Sequence, residues 1–190
     1  MKPEEVINEF KQTDALLEGH FQLTSGLHSS VYLQCARVLQ YPEKAAQFAS
    51  AIADQFRHAG IELVASPAIG GLIIGHEVAR ALGARFIWTE REGGSMTLRR
   101  GFTIKQGEKT LVVEDVITTG GSTKETIDCL VSAGADVIGA ASIIDRSGGA
   151  ADVGVPRVAL ASLKVVAVEA TVCEACGQGS VAIKPGSRKV

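Results

Sequence analysis

The chain is short of aromatic residues, only 5% of the total, with a single Trp and two Met. Its four cysteines, Cys35, Cys129, Cys173 and Cys176, are too few and too scattered over 190 residues for a disulfide scaffold, and they suit a reducing cytoplasm. No apolar run approaches the ~18 residues that cross a bilayer, and the opening MKPEEVINEF has no apolar stretch behind a basic one, so neither a membrane partner nor a secretory leader is expected. Cations are not in excess either. Nineteen Lys plus Arg meet 21 Asp plus Glu, a formal net charge of -2, whereas phosphate-backbone binding needs clustered positive charge; no nucleic-acid partner is expected. No GxGxxG occurs, and no Lys-Ser/Thr pair follows a glycine at P-loop spacing, which removes the dinucleotide and Walker-type readings. Low-complexity tracts, linkers and internal repeats are also missing, so one domain over 1–190 is expected.

What the chain does have is a hydrophobic share of 46% and 21 glycines, well above the usual ~7%. Glycine marks places where backbone turns sharply or comes close to something. The apolar period switches along the chain between helical and strand spacing, the sign of an α/β protein. Val6, Ile7, Phe10 and Leu17 predict a helix over 3–17, with Pro3 in its first turn and Gly19 beyond its end. A hairpin is expected over 20–34, Phe21 and Leu23 alternating on one side of Ser25-Gly26, Val31 and Leu33 on the other. Ala45, Phe48, Ala49, Ile52 and Phe56 then predict a helix between Pro42 and Gly60. Four β-like runs follow, at 63–65, 86–88, 111–113 and 137–144, with helical stretches over 72–82 and 122–133. Strands alternating with helices predict a mostly parallel central sheet flanked by helices, with ligands bound beyond the carboxyl ends of the strands.

The loop after the third run carries the chemistry: Val113-Glu114-Asp115-Val116-Ile117-Thr118-Thr119-Gly120-Gly121-Ser122. Two adjacent carboxylates can accept hydrogen bonds from vicinal hydroxyls such as a ribose offers. Two glycines opening a helix, with hydroxyl side chains around them, cradle a phosphate. Together they describe a ribose 5-phosphate site. The plain structural alternative is a tight turn capped at Thr119 or Ser122.

This segment resembles the phosphoribosyl-diphosphate (PRPP) motif of type I phosphoribosyltransferases, and from about residue 20 to residue 188 the chain most resembles the orotate phosphoribosyltransferase family. Three further segments carry that resemblance. Gly19-His20-Phe21-Gln22-Leu23-Thr24-Ser25-Gly26-Leu27-His28-Ser29-Ser30-Val31-Tyr32 is similar to an N-terminal hood over the base, to which 1–40 would contribute. Glu90-Arg91-Glu92-Gly93-Gly94-Ser95-Met96-Thr97-Leu98-Arg99-Arg100-Gly101-Phe102 stands at the mobile catalytic loop, and Ile144-Asp145-Arg146 matches an Asp-Arg after the following strand.

The resemblance implies transfer of phosphoribosyl from PRPP to orotate with Mg2+ as cofactor, carried by PRPP near Glu114 and Asp115 with no direct protein ligand, in a cytoplasmic homodimer whose catalytic loop is shared between subunits. PRPP would be held by Glu114, Asp115, Val116, Ile117, Thr118, Thr119, Gly120, Gly121 and Ser122, and its diphosphate by Ala68, Ile69 and Gly70 of Ser66-Pro67-Ala68-Ile69-Gly70-Gly71. The resemblance also allows a strained, even cis, Ala68–Ile69 peptide. Orotate would meet Thr118, Arg146, Ser25, His28 and Tyr32, a fixed guanidinium being the natural anchor for its carboxylate. Catalytic roles fall to Asp115 and to Arg91, Arg99 and Arg100, which would neutralise the departing diphosphate.

Alternatives stand beside each of these roles: a salt bridge from Arg146 to Asp145 or Asp152, a solvated edge for Arg99-Arg100, a bare hairpin turn at 25–30. The chain departs from the family where a lysine-rich loop with a histidine is replaced by arginines, which do not give up protons, and where His28 stands at a position often held by lysine. A purine phosphoribosyltransferase or a PRPP-sensing regulator without turnover would share the PRPP loop. Cys173-Glu174-Ala175-Cys176 is the one metal-like spacing; a zinc site needs four ligands, and His20, His28, His58 and His76 all lie far upstream, so a turn with two thiols is expected. The tail over 183–189 is expected to be solvated positive charge.

Overall fold

Continuous apolar strands flanked by amphipathic helices can bury both faces only in the middle of a layered sheet. In the computed structural model, which describes residues 1–23 and 25–185, five such strands form that middle layer. They are β3 (Leu63–Pro67), β4 (Arg85–Glu92), β6 (Lys109–Ile117), β7 (Asp136–Asp145) and β8 (Arg157–Ser162), parallel to one another, with β5 (Ser95–Leu98) added antiparallel on the edge of β4. The sheet order is β5-β4-β3-β6-β7-β8.

Alternation along the strands splits the core in two. Val64, Leu111 and Val113 face the side covered by α1 (Pro3–Gln12), α3 (Pro42–Ala53) and α4 (Gly71–Leu82), where Phe10, Phe48, Ile52, Ile74 and Val78 are fully buried. Leu63, Ala65 and Val112 face α5 (Gly121–Ser132) through Ile127 and Leu130. Helix α4 lies unusually near the sheet, because a Cβ at Gly75 would stand 2.7 Å from the Phe86 ring, inside contact distance.

A second, three-stranded antiparallel sheet, β1-β2-β9, is built from β1 (Leu16–Gln22), β2 (His28–Leu33) and β9 (Ala167–Val168). Its hairpin was legible, its third strand was not. The short helices α2 (Ala36–Leu39) and α6 (Glu174–Gly177) and a 3-10 turn (Ala170–Val172) complete the described elements. The first helix ends at Gln12 and does not reach residue 17. Thr13 Oγ1 donates back to the Glu9 carbonyl at 2.8 Å, Asp14 takes φ +51°, and Leu17 enters β1. β5 and β8 were also unforeseen; the first lies inside 90–102, expected as a mobile loop, and returns antiparallel to β4 after Gly93-Gly94. Residues 186–189 of the basic tail lie outside the described residues.

Candidate active site

At the carboxyl end of β6, Glu114, Asp115, Val116 and Ile117 lead into Thr118, Thr119 and Gly120 before α5 begins. Gly120 takes φ +83°, and a Cβ there would stand 2.9 Å from Val153, so both backbone and space demand glycine. The turn sets the N–H groups of Gly121, Ser122 and Thr123 at a helix start, where no intrahelical carbonyl serves them. They border a polar recess of about 70 Å³ lined by Glu114 and Val116 through Thr123. Its shape and donors suit a phosphate.

The paired carboxylates above this recess are left without counter-charge. Glu114 accepts the Thr123 hydroxyl at 2.8 Å, yet burial, with Asp115 adding to it, pushes its pKa up to about 7. Burial also raises Asp115, although the Val116 N–H donates to it at 2.8 Å and the Cys35 thiol lies beside it. Among the described residues no cationic side chain sits against either carboxylate. The loop after β3 closes on the same spot. The Ala68–Ile69 peptide is cis, the Ala68 N–H donates to the Thr89 carbonyl at 2.8 Å, and a Cβ on Gly70 would lie 2.8 Å from an Asp115 oxygen.

One strand over, the Arg146 N–H donates to the Ile117 carbonyl at 2.8 Å, which ties the end of β7 to the PRPP-like loop. The Arg146 side chain is half-buried, and its Nε has no hydrogen-bond partner among the described residues. Burial lowers its pKa, opposed by the nearby Cys35 and Tyr32. The salt bridges weighed from sequence are not formed. Asp145 instead receives Arg157 at 3.0 Å, the Ser147 N–H at 2.7 Å and the Gly149 N–H at 3.0 Å, and Asp152 receives the Gly154 N–H at 2.9 Å. Asp145 shapes the 147–149 turn and leaves its neighbour free. Cys35, buried between Asp115 and Arg146 with its thiol pKa pushed well up by that burial, had no sequence signal, since a lone cysteine belongs to no pattern.

A family model described as a phosphoribosyl transferase domain matches residues 36–168. Over 190 residues the chain is 48% identical to the orotate phosphoribosyltransferase of Desulforamulus reducens and 50% identical to that of Pelotomaculum thermopropionicum, covering 100% of both chains in each case. The chain belongs to the orotate phosphoribosyltransferase family. The crystal structure of orotate phosphoribosyltransferase from Aeropyrum pernix shares its fold with a TM-score of 0.71 at 29% identity, over 92% of this chain and 99% of that one.

The arginine-bearing segment that resembles the catalytic loop of this orotate phosphoribosyltransferase family is here the β4–β5 hairpin and the turn after it. Each arginine already holds a carboxylate. Arg91 pairs with Glu125 at 2.7 Å, Arg99 lies 3.7 Å from Glu90 and 3.5 Å from Glu92, and Arg100 grips Glu90 through two bonds of 2.7 and 2.9 Å. Arg100, the Trp88 indole and Arg99 hold the Glu90 carboxyl down at about 2. Arg91 and Arg100 share a hollow with Ala68 and Ile69.

In the β1–β2 hairpin, Ser25 is exposed at the turn, and Tyr32 lies near Arg146, its hydroxyl donating to Gln34 at 3.2 Å. His28 is buried, its Nδ1 engaged 2.8 Å from His20 Nε2. The expectation of a bare turn at Cys173-Cys176 is corrected here: ligand atoms of His20, His28, Cys173 and Cys176 all fall within 4.8 Å of one another. The two histidines were set aside as distant in sequence, but β9 pairs with β2 and closes that distance.

Proposed function

We infer that the protein transfers the 5-phosphoribosyl group of PRPP to N1 of orotate, giving orotidine 5'-monophosphate and diphosphate in pyrimidine biosynthesis. The observation that carries this reading is a carboxylate pair raised by burial and a half-buried guanidinium, both without counter-charge, at the ends of adjacent strands β6 and β7. Glu114 and Asp115 accept hydrogen bonds from the ribose hydroxyls, while Thr118, Thr119, Gly120, Gly121 and Ser122 hold the 5-phosphate. The loop of Ala68, Ile69 and Gly70 takes the diphosphate, and Arg146 takes the orotate carboxylate with Thr118 beside the ring.

In the reaction the C1–O bond to diphosphate breaks, its electron pair leaving with the oxygen, as N1 of orotate bonds to C1 and its acidic N1 proton passes to solvent. Charge separation is the barrier, so donors and cations aimed at the leaving oxygens do most of the work. Two unpaired carboxylates beside the sugar site are a donor set that suits a hard divalent cation, so Glu114 and Asp115 are the residues that would face Mg2+. Bound with PRPP, Mg2+ would supply charge neutralisation of the diphosphate. Arg91, Arg99 and Arg100 exchange their present carboxylate partners for diphosphate.

We take residues 1–40 as part of the hood over the base, with Ser25 and Tyr32 toward it and His28 offering at most its second ring nitrogen. The unit is a cytoplasmic homodimer with the arginine hairpin shared; exposed Ile69 in the diphosphate loop, exposed Ile73 just after it, and the exposure of Arg99 and Arg100 support the dimer. The same test separates the base and the class. Purified chain, Mg2+ and PRPP should consume orotate, followed by its absorbance, and Arg146→Ala should raise the KM for orotate on the order of a hundredfold with PRPP affinity kept. Turnover of adenine or hypoxanthine with indifference to Arg146→Ala would establish a purine enzyme instead. Binding without turnover of any base would make it a sensor.

A further inference from the structure

We propose that His20, His28, Cys173 and Cys176 form a structural zinc site that clasps the C-terminal segment onto the hood. The metal takes no part in the reaction assigned above, although it shares His28 with the hood. The four side chains come from two places far apart in the chain, the β1–β2 hairpin and the Cys173–Cys176 turn, and converge on one point. His20 Nε2 lies 2.8 Å from His28 Nδ1, 3.4 Å from Cys173 Sγ and 3.6 Å from Cys176 Sγ, and Cys176 Sγ lies 3.2 Å from His28 Nδ1.

One ring nitrogen carries either one proton or one lone pair, so His20 Nε2 can satisfy only one of its three neighbours. A cation at the centre satisfies all four at once. Zinc bonds of about 2.3 Å to sulfur and about 2.0–2.1 Å to nitrogen, arranged tetrahedrally, separate ligand atoms by roughly 3.3–3.8 Å. His20 Nε2 meets this against both sulfurs, at 3.4 and 3.6 Å; the histidine pair at 2.8 Å has to open by about half an ångström and Cys176 from His28 at 3.2 Å by a few tenths, with all four ligand atoms already within 4.8 Å of one another. Two thiolates with two imidazoles select zinc among the common divalent ions, and four protein ligands leave no open position, the mark of a structural site.

The surroundings are also those of a metal centre. His20 Nδ1 lies 3.1 Å from Ser180 Oγ, an outer partner that orients the ring so that Nε2 faces inward. The Gly177 N–H donates to the Cys173 carbonyl at 3.1 Å, a turn that brings both thiols to one side. The chain on either side is already seated on the hairpin. β9 pairs with β2, Val168 opposite His28, and beyond the cysteines Ile183 exchanges hydrogen bonds of 2.8 Å with His20 and Gln22 along β1. The segment therefore straddles both edges of the β1–β2 pair, with the four ligands at the crossing.

The full chain, purified with its thiols reduced and without chelator, should carry one zinc per chain by elemental mass spectrometry. Stripping with chelator should lower the thermal midpoint, and Zn2+ should restore it. Reloading with Co2+ should give the intense ligand-field bands of a tetrahedral site together with thiolate-to-cobalt charge transfer, a readout that needs no variant. Cys176→Ser and His20→Gln should each abolish stoichiometric zinc, Ser180→Ala should weaken it about tenfold, and His58→Ala should leave it unchanged. Failure of the reduced wild-type chain to take up zinc from Zn2+-supplemented buffer, six-coordinate cobalt bands without charge transfer, or a Cys173–Cys176 disulfide in place of metal would overturn the proposal.

Discussion

The two edges of the central sheet treat charge in opposite ways. At the amino end of its strands, Glu108 is almost fully buried and receives Arg85 through two bonds of 2.8 Å, with the Lys105 N–H adding a third at 3.0 Å. Its pKa is lowered, chiefly by Arg85. At the carboxyl end Asp145 is likewise settled, by Arg157, but Glu114 and Asp115 are raised by burial and Arg146 is lowered by it, these three lacking a partner of opposite charge. A fold that settles its buried charges at one edge has the means to settle them at the other. Where it does not, the missing partner is a ligand, and the cost of the unpaired groups is recovered on binding.

The contrast breaks most visibly at Asp115. Asp115→Asn removes the charge while keeping the size, and kcat/KM for PRPP should fall a hundred- to a thousandfold, on the order of 3–4 kcal/mol for the loss of charge-assisted hydrogen bonds. The thermal midpoint of the ligand-free protein should hold or rise, because a buried, unpaired charge is removed. Steady-state kinetics beside calorimetry reads both. A variant that loses stability and keeps its PRPP kinetics would reverse the assignment of the two edges.

The carboxyl edge was legible because its determinants are contiguous. Glu114, Asp115, Thr118 and Gly120 lie within seven consecutive residues, so strand, turn and helix start are written together. The central strands and the helices of the parallel sheet were legible for the same reason, each being a local period. What was not legible depends on chain segments meeting. The clasp joins residues 153 and 156 positions apart, and nothing at His20 or His28 foretells that β9 will bring Cys173 and Cys176 to them. Likewise a salt bridge from Arg146 to Asp145 stays open in the sequence; only the position of Arg157, on the next strand, takes Asp145 and leaves Arg146 to the site. The arginines of the β4–β5 hairpin were read as free cations, and their pairing with Glu90, Glu92 and Glu125 is a feature of the folded hairpin.

At the amino edge the expected effect is smaller and of the other kind. Glu108→Ala leaves Arg85, already two-fifths exposed, to find water, so the loss falls below that of a fully buried pair, about 2 kcal/mol. For a chain of this size that lowers the thermal midpoint by about 4–8 °C. At a temperature where the variant is folded, kcat and both KM values should be unchanged. A kinetic defect there would mean that the amino edge is coupled to the site and that the contrast is false.

The smallest effect, and the sharpest, is in the pH dependence of Glu114. Its ordinary value is 4.5 and burial moves it to about 7, so the folded protein holds a proton that the unfolded chain has released. The resulting stability is complete below about pH 4.5 and is lost as pH rises through about 7. Between pH 5.5 and 8 the ligand-free protein should lose up to about 2 kcal/mol through this group, since each tenfold difference in proton affinity between the folded and unfolded chain is worth about 1.4 kcal/mol. Glu114→Gln should flatten that slope in thermal or denaturant unfolding. PRPP with Mg2+ requires the ionised carboxylate, so binding near pH 6 should release a proton, measured by titration calorimetry in buffers of different ionisation enthalpy, and the release should vanish above about pH 8. Proton uptake on binding, or a slope that survives Glu114→Gln, would show that the carboxyl edge is compensated after all.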